Sequence, residues 1–175
     1  MNIKSLIRTV PNYPKQGIMF RDISTLLYNG KALQFISESF YKRYYKSNIQ
    51  AIVAIESRGF IFGAMLAEKL GVSLVPIRKK GKLPCKVYTE EYQLEYGKDS
   101  IEIDIDALKS NANIIIVDDL IATGGTALAA TSLTQKCEAN ILELCFLIDL
   151  PELLGSKRLN QKGFKTYSLI EFEGK

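Results

Sequence analysis

Residues 114–126, Ile-Ile-Ile-Val-Asp-Asp-Leu-Ile-Ala-Thr-Gly-Gly-Thr, place a β-branched run directly before two aspartates and a small, hydroxylated, glycine-rich turn. Such a turn can hold a phosphate. Gly124 and Gly125 free the backbone to approach an anion, and successive N–H groups of Ala122, Thr123 and their neighbours point into the turn. The hydroxyls of Thr123 and Thr126 add donors, and the start of a following helix favours negative charge. Asp118 and Asp119, at the strand end, suit a second task. Carboxylates accept paired hydrogen bonds from the vicinal hydroxyls of a ribose, and they can also orient a hydrated magnesium ion. An ordinary capped strand-to-helix turn would use Asp and Thr, but would not require paired aspartates, paired glycines and two threonines in this order. The GxxxxGK[ST] loop of nucleoside triphosphatases occurs nowhere in the chain.

A second feature with chemical meaning is the stretch Arg78 to Lys86, which carries five basic residues and no acid, more than the whole net charge of +4. Positive charge concentrated in this way points to a polyanion, either a phosphorylated small molecule or a nucleic acid backbone; a solvated lysine-rich loop is the bland alternative. The chain has no histidine, so Ser-His-Asp and Cys-His catalysis and histidine metal sites are excluded. Any general acid or base is Asp, Glu, Lys or Tyr. Cys85, Cys137 and Cys145 are an odd number without CxxC spacing. They read as reduced thiols, the latter two in the core.

The elements that must position these residues follow from hydrophobic pattern. The 175 residues, 47% hydrophobic and 24% charged, suit one domain, 1–175, with a full core. No apolar run approaches the roughly 20 residues a membrane-spanning helix needs, and the N-terminus lacks a secretory apolar stretch. A cytoplasmic protein without a membrane partner is expected. Short apolar runs at Ala51–Ile55, Val72–Ile77, Ile114–Val117 and Ile141–Ile148 read as buried strands, and helical stretches at Phe60–Leu70 and Thr126–Cys137 separate successive pairs. Residues 1–10 and 31–46 read as helices, the latter with Leu33, Ile36, Phe40 and Tyr44 on one face. The pattern predicts an α/β fold, a central, mostly parallel sheet flanked by helices, with ligands at the carboxyl ends of the strands. Residues 88–106 break the alternation. They read as two extended segments joined across Gly97-Lys98-Asp99, a β-hairpin flap that projects with the basic stretch rather than joining the sheet.

The segment Val117-Asp-Asp-Leu-Ile-Ala-Thr-Gly-Gly-Thr126 resembles the phosphoribosyl pyrophosphate (PRPP) signature of the type I phosphoribosyltransferases, in the form found in members that act on adenine. Four further segments agree, in order: residues 12–23 (Asn-Tyr-Pro-Lys-Gln-Gly-Ile-Met-Phe-Arg-Asp-Ile), 56–60 (Glu-Ser-Arg-Gly-Phe), 76–84 (Pro-Ile-Arg-Lys-Lys-Gly-Lys-Leu-Pro) and 94–97 (Leu-Glu-Tyr-Gly). The resemblance covers nearly the whole chain.

That resemblance implies the type I phosphoribosyltransferase fold and transfer of ribose 5-phosphate from PRPP to adenine, in purine salvage. It implies that residues 1–30 contribute to a base-binding hood and that 79–106 form a flexible catalytic flap. Phe20 would stack on adenine while backbone groups of Met19 and Arg21 read its edge, and Leu153 would close the other side. Residues 118, 119 and 122–126 would hold ribose and phosphate. Arg58, beside a peptide that is often cis in the family, would grip pyrophosphate together with Arg78, Lys79 and Lys82. Glu95, with Tyr96, would be the catalytic carboxylate. Magnesium would enter with PRPP, held mainly by substrate, with Asp118 or Asp119 acting through water. A homodimer is implied as well. The flap sequence Cys85-Lys-Val-Tyr-Thr-Glu-Glu-Tyr92 departs from the family, where more neutral or differently charged residues occur. A phosphoribosyltransferase for another purine would lack the match at residues 19–22 and 94–97. A regulator using the basic stretch on RNA or DNA would be expected to lose Glu95 and to show a recognition helix or an RNA-stacking strand. Glu95 is present and neither element is found, so no nucleic acid partner is expected.

Overall fold

The computed structural model describes residues 1–94 and 97–173. Its centre is a seven-stranded sheet in the order β5-β6-β4-β3-β7-β8-β9, formed by β3 (Ala51–Ile55), β4 (Ser73–Lys79), β5 (Val87–Leu94), β6 (Gly97–Asp104), β7 (Asn113–Ile121), β8 (Asn140–Asp149) and β9 (Thr166–Glu171). A separate two-stranded sheet pairs β1 (Arg8–Pro11) with β2 (Met19–Asp22). The helices are α1 (Ser24–Leu27), α2 (Gly30–Tyr44), α3 (Gly59–Leu70), α4 (Gly125–Lys136) and α5 (Gly155–Gln161).

Pairings among β4, β3, β7, β8 and β9 are all parallel, as the βαβ pattern requires. Successive side chains along a strand face opposite sides, and the core divides accordingly. Ile52, Ile115 and Val117 pack with Ile36 and Phe40 of α2 and Phe62 and Leu66 of α3. On the other face, Val53, Ile55, Ile114 and Ile116 pack with Ala130 and Leu133 of α4. Strand β3 lies between β4 and β7, so the chain leaves it first to one side and later to the other. A crevice opens where such a sheet reverses direction, beyond the strand ends. Cys137 and Cys145 are buried and Cys85 is exposed.

Three expectations need correction. Residues 1–10 do not form a helix: only a 3-10 turn at Lys4–Leu6 precedes β1. The β-favouring Thr9 and Val10 find a partner in β2, with Val10 opposite Phe20, and this non-local pairing overrides local helical pattern. Within the hairpin, residues 97–99 are not the connection. They belong to β6, where Gly97 lies opposite Leu94 and Asp99 opposite Tyr92.

The third is the hairpin, which does join the main sheet: the otherwise unpaired edge of β4 takes up β6 through Arg78↔Glu102 and Lys79↔Ile101. From there it runs on past β4, and β5 lies over α4, where Lys136 donates to the Thr89 carbonyl at 3.1 Å and to Glu90 at 2.7 Å. Among the described residues, no helix is long and apolar enough to cross a membrane.

Candidate active site

The ends of β3 and β7 frame a cavity of about 290 Å³ lined by Glu56, Ser57, Arg58, Lys79, Tyr92 and residues 118–127. Its floor is the phosphate-type turn. Gly124 sits at φ +83°, a left-handed conformation that a side chain would disfavour. No side chain caps α4, which leaves the first N–H groups of this helix available to an outside acceptor. Ala122, Thr123, Gly124, Gly125 and Thr126 all face this cavity, as their sequence order predicts.

At the end of β7, Asp119 is only 4% exposed. The approach of α3 to these aspartates depends on Gly59, where a Cβ would come within 2.8 Å of the Val117 carbonyl and 2.9 Å of an Asp118 carboxylate oxygen. Burial, reinforced by the adjacent Asp119 charge, pushes the Asp118 carboxyl well above the usual carboxylate range. Asp119 is raised too, by burial, against the opposing charge of Arg58. The Arg58 Nε lies 2.9 Å from Asp119 Oδ2, yet the geometry is too oblique for a hydrogen bond, and that oxygen has no hydrogen-bond partner among the described residues. Two crowded carboxylates with incomplete hydrogen bonding are suited to accept sugar hydroxyls or a cation's water.

Arg58 reaches this position from the turn between β3 and α3, where the Glu56–Ser57 peptide is cis. Glu56 gathers the basic stretch. It accepts from Arg78 Nε at 3.1 Å, from the Lys79 backbone N–H at 2.8 Å and from the Lys82 ammonium. Partial burial works against ionisation of Glu56, but these donors prevail and lower its pKa to about 2. Lys79 points the other way, donating to Tyr92 Oη at 2.8 Å and pairing with Asp99, to which Tyr92 also donates at 3.1 Å. Lys79 therefore lines the cavity, whereas Arg78 and Lys82 stand behind Glu56 and do not. Three cations of a stretch that reads as free positive charge are thus matched by internal carboxylates.

The hood meets the cavity through Phe20. Its ring packs edge-on against Tyr13 at 5.1 Å, and the Arg58 guanidinium lies 5.5 Å from its centre. Arg21 is 8% exposed and both guanidinium Nη groups are engaged elsewhere, while its buried Nε has no hydrogen-bond partner among the described residues. It donates to Thr9 Oγ1 at 2.6 Å and to the Glu173 carbonyl at 3.0 Å, and rests on Phe172. The side chain of Arg21 is thereby held in the hood's own packing, and its backbone belongs to β2. Met19 pairs with Pro11, and Leu153 ends a 3-10 turn, half-buried against the hood-side core. Glu95 and Tyr96 lie outside the described residues.

Sequence reading missed Tyr92 and the organising role of Glu56. Tyr92 reads as one more apolar position in an alternating strand; only the register with β6 and the closeness of β4 bring its hydroxyl to Lys79. Among the described residues, no group of three or more Cys, Asp or Glu side chains could by itself hold a metal ion.

Comparison with known proteins places this geometry in context. The phosphoribosyl transferase domain family matches residues 23–173, beginning just after β2. A protein of Methylobacillus flagellatus named adenine phosphoribosyltransferase is 51% identical, over 99% of this chain and 98% of its own length. The crystal structure of adenine phosphoribosyltransferase from Thermoanaerobacter pseudethanolicus superposes with a TM-score of 0.92 at 44% identity, covering 97% of this chain and 98% of that one. The Saccharomyces cerevisiae enzyme of the same name, complexed with an imino-altritol bisphosphate and adenine, gives 0.90 at 40% identity and 96% coverage of both chains.

Proposed function

The chain belongs to the adenine phosphoribosyltransferases and catalyses their reaction, adenine plus PRPP giving AMP and pyrophosphate in purine salvage, and we propose the following division of that work among its residues. The observation that carries it is the single cavity edge shared by the glycine-rich turn, the aspartate pair, Arg58 and Lys79. Backbone N–H groups and hydroxyls of residues 122–126 take the 5-phosphate. Asp118 and Asp119 accept the two ribose hydroxyls. Arg58 and Lys79 hold pyrophosphate, with Arg78 and Lys82 in support as they exchange Glu56 for phosphate oxygens.

Phe20 offers its face to adenine, and the backbone of Met19 and Arg21 reads the purine edge, distinguishing a 6-amino from a 6-oxo group. Leu153 closes the opposite side. As N9 attacks the anomeric carbon, the bond to the pyrophosphate oxygen breaks and the N9 proton passes to the departing pyrophosphate or to solvent. Glu95 holds or donates a proton at N7 and so tunes the base, with Tyr96 beside it. The hairpin excludes water, which would otherwise hydrolyse the activated sugar.

Magnesium fits this site through the aspartate pair, whose Asp119 Oδ2 lacks a hydrogen bond; bound to PRPP and to Asp118 or Asp119 through water, it would neutralise charge on departing pyrophosphate. The reading includes a cytoplasmic homodimer, which sedimentation of the purified protein tests. The deciding experiment supplies adenine, guanine, hypoxanthine and xanthine separately with PRPP and magnesium. Strong preference for adenine is expected; turnover of a 6-oxopurine would overturn the base assignment, and turnover of none would overturn the reaction.

A further inference from the structure

From the end of β8 into α5, residues 150–158 touch the end of β7 and the turn after it at three places while carrying Leu153. The Leu150 N–H donates to the Ile121 carbonyl at 3.1 Å. Gly155 lies flat against the turn: a Cβ there would sit 2.2 Å from the Ala122 carbonyl oxygen and 2.9 Å from the Gly124 nitrogen. In return, a Cβ on Gly124 would meet Gly155 at 3.1 Å. The third contact is Arg158, whose Nη1 donates to the Thr123 carbonyl at 3.1 Å. A trans peptide holds its C=O and N–H on opposite sides, so directing the Thr123 carbonyl at Arg158 directs the Gly124 N–H away from it. Leu154 adopts a left-handed conformation (φ 61°), uncommon for a leucine, and turns the chain sharply between Leu153 and Gly155.

We infer that Arg158 is a positioning residue that sets the phosphate turn and, through the short connection to Gly155 and Leu154, the base-closing Leu153. The inference rests on the adenine phosphoribosyltransferase reading above, in which the turn holds phosphate and Leu153 faces the base. It gives α5 a task in substrate recognition although Arg158 touches neither substrate. One guanidinium–carbonyl bond sets the turn's peptide plane, and the same segment places the apolar wall of the base site.

The test is steady-state kinetics, with each substrate varied in turn, on the wild type, Arg158→Ala and Arg158→Lys, alongside thermal denaturation. Arg158 is exposed, so its replacement leaves the core intact. Loss of one hydrogen bond predicts a rise of roughly 2- to 10-fold in KM for PRPP and for adenine together, with kcat nearly unchanged. Arg158→Lys, which can still donate to the carbonyl, restores both. A rise in KM for PRPP alone would overturn the link to the base, and a lowered Tm with both KM values intact would reduce Arg158 to a structural contact. If the wild type made no AMP, the reaction assignment would fail rather than this inference.

Discussion

In the turn after β7, one uninterrupted stretch supplies the strand, both aspartates, the backbone donors and the start of α4, whereas the hood joins segments far apart in the chain, Arg21 of β2 resting on Phe172 near the other end. The turn is fixed by close backbone contacts, at Gly59 against β7 and at Gly124 against Gly155. The hood is held by a few polar fastenings: Arg8 to Asp22, Thr25 to the Leu6 carbonyl, and Arg21 to the Glu173 carbonyl. The phosphoribosyl transferase family match begins only after the hood strand. In the proposed reading, recognition of the sugar phosphate lies wholly within the matched part of the fold, whereas the base site draws on Phe20 before it and Leu153 within it. A ligand that keeps one fixed geometry can be met by a local motif. A planar base needs walls from two sides, which in the proposed reading come from segments far apart in the chain.

This contrast can be broken at several points. The largest effect is expected from Glu95→Gln, which removes the proposed proton carrier from neither region's binding surface. The prediction is a fall in kcat of about 10²-fold or more, with KM for PRPP little changed; equal turnover in the variant would remove Glu95 from the mechanism. Next come paired variants that separate the regions. Phe20→Ala is expected to raise KM for adenine by roughly 5- to 150-fold, from the 1–3 kcal/mol of base stacking, and to leave KM for PRPP alone. Asp119→Asn is expected to do the reverse. If each variant moved both constants equally, the division between hood and turn would be wrong.

A smaller effect sharpens the comparison from the side of the turn. Glu56 is lowered to about 2 in the folded protein by Lys82, Lys79 and Arg78, against an ordinary value of 4.5. Its folded value lies below its unfolded one, so its stabilisation is present above about pH 4.5 and is lost as pH falls toward 2. Melting curves of Glu56→Gln and the wild type should accordingly converge as the pH falls from 4.5 toward 2 and stay separated above it. A constant gap across this window would mean that Glu56 is not held by these cations.

Much of the sheet was readable because its strands are short β-branched runs that are buried on both faces: Ala51–Ile55 was predicted with the limits it has as β3. The N-terminal strand was not readable, since a run as short as Arg8–Pro11 becomes extended only by pairing with β2. The same holds for β9, which docks along β8 with Cys145 opposite Tyr167. A half-exposed strand with tyrosine, serine and glutamate has no pattern strong enough to declare itself.

The chemistry divides in the same way. Residue type and order alone determined the glycine-rich turn, the paired aspartates and the lack of histidine, because backbone donors and adjacent carboxylates are positioned by their own neighbours in the chain. Only the tertiary structure decided that Glu56 collects Arg78 and Lys82, that Tyr92 and Asp99 engage Lys79, and that Gly155 and Arg158 brace the turn. Each of those contacts joins residues from different elements. Their distances depend on strand order and register, which are set by how the whole core packs rather than by the local sequence of either partner.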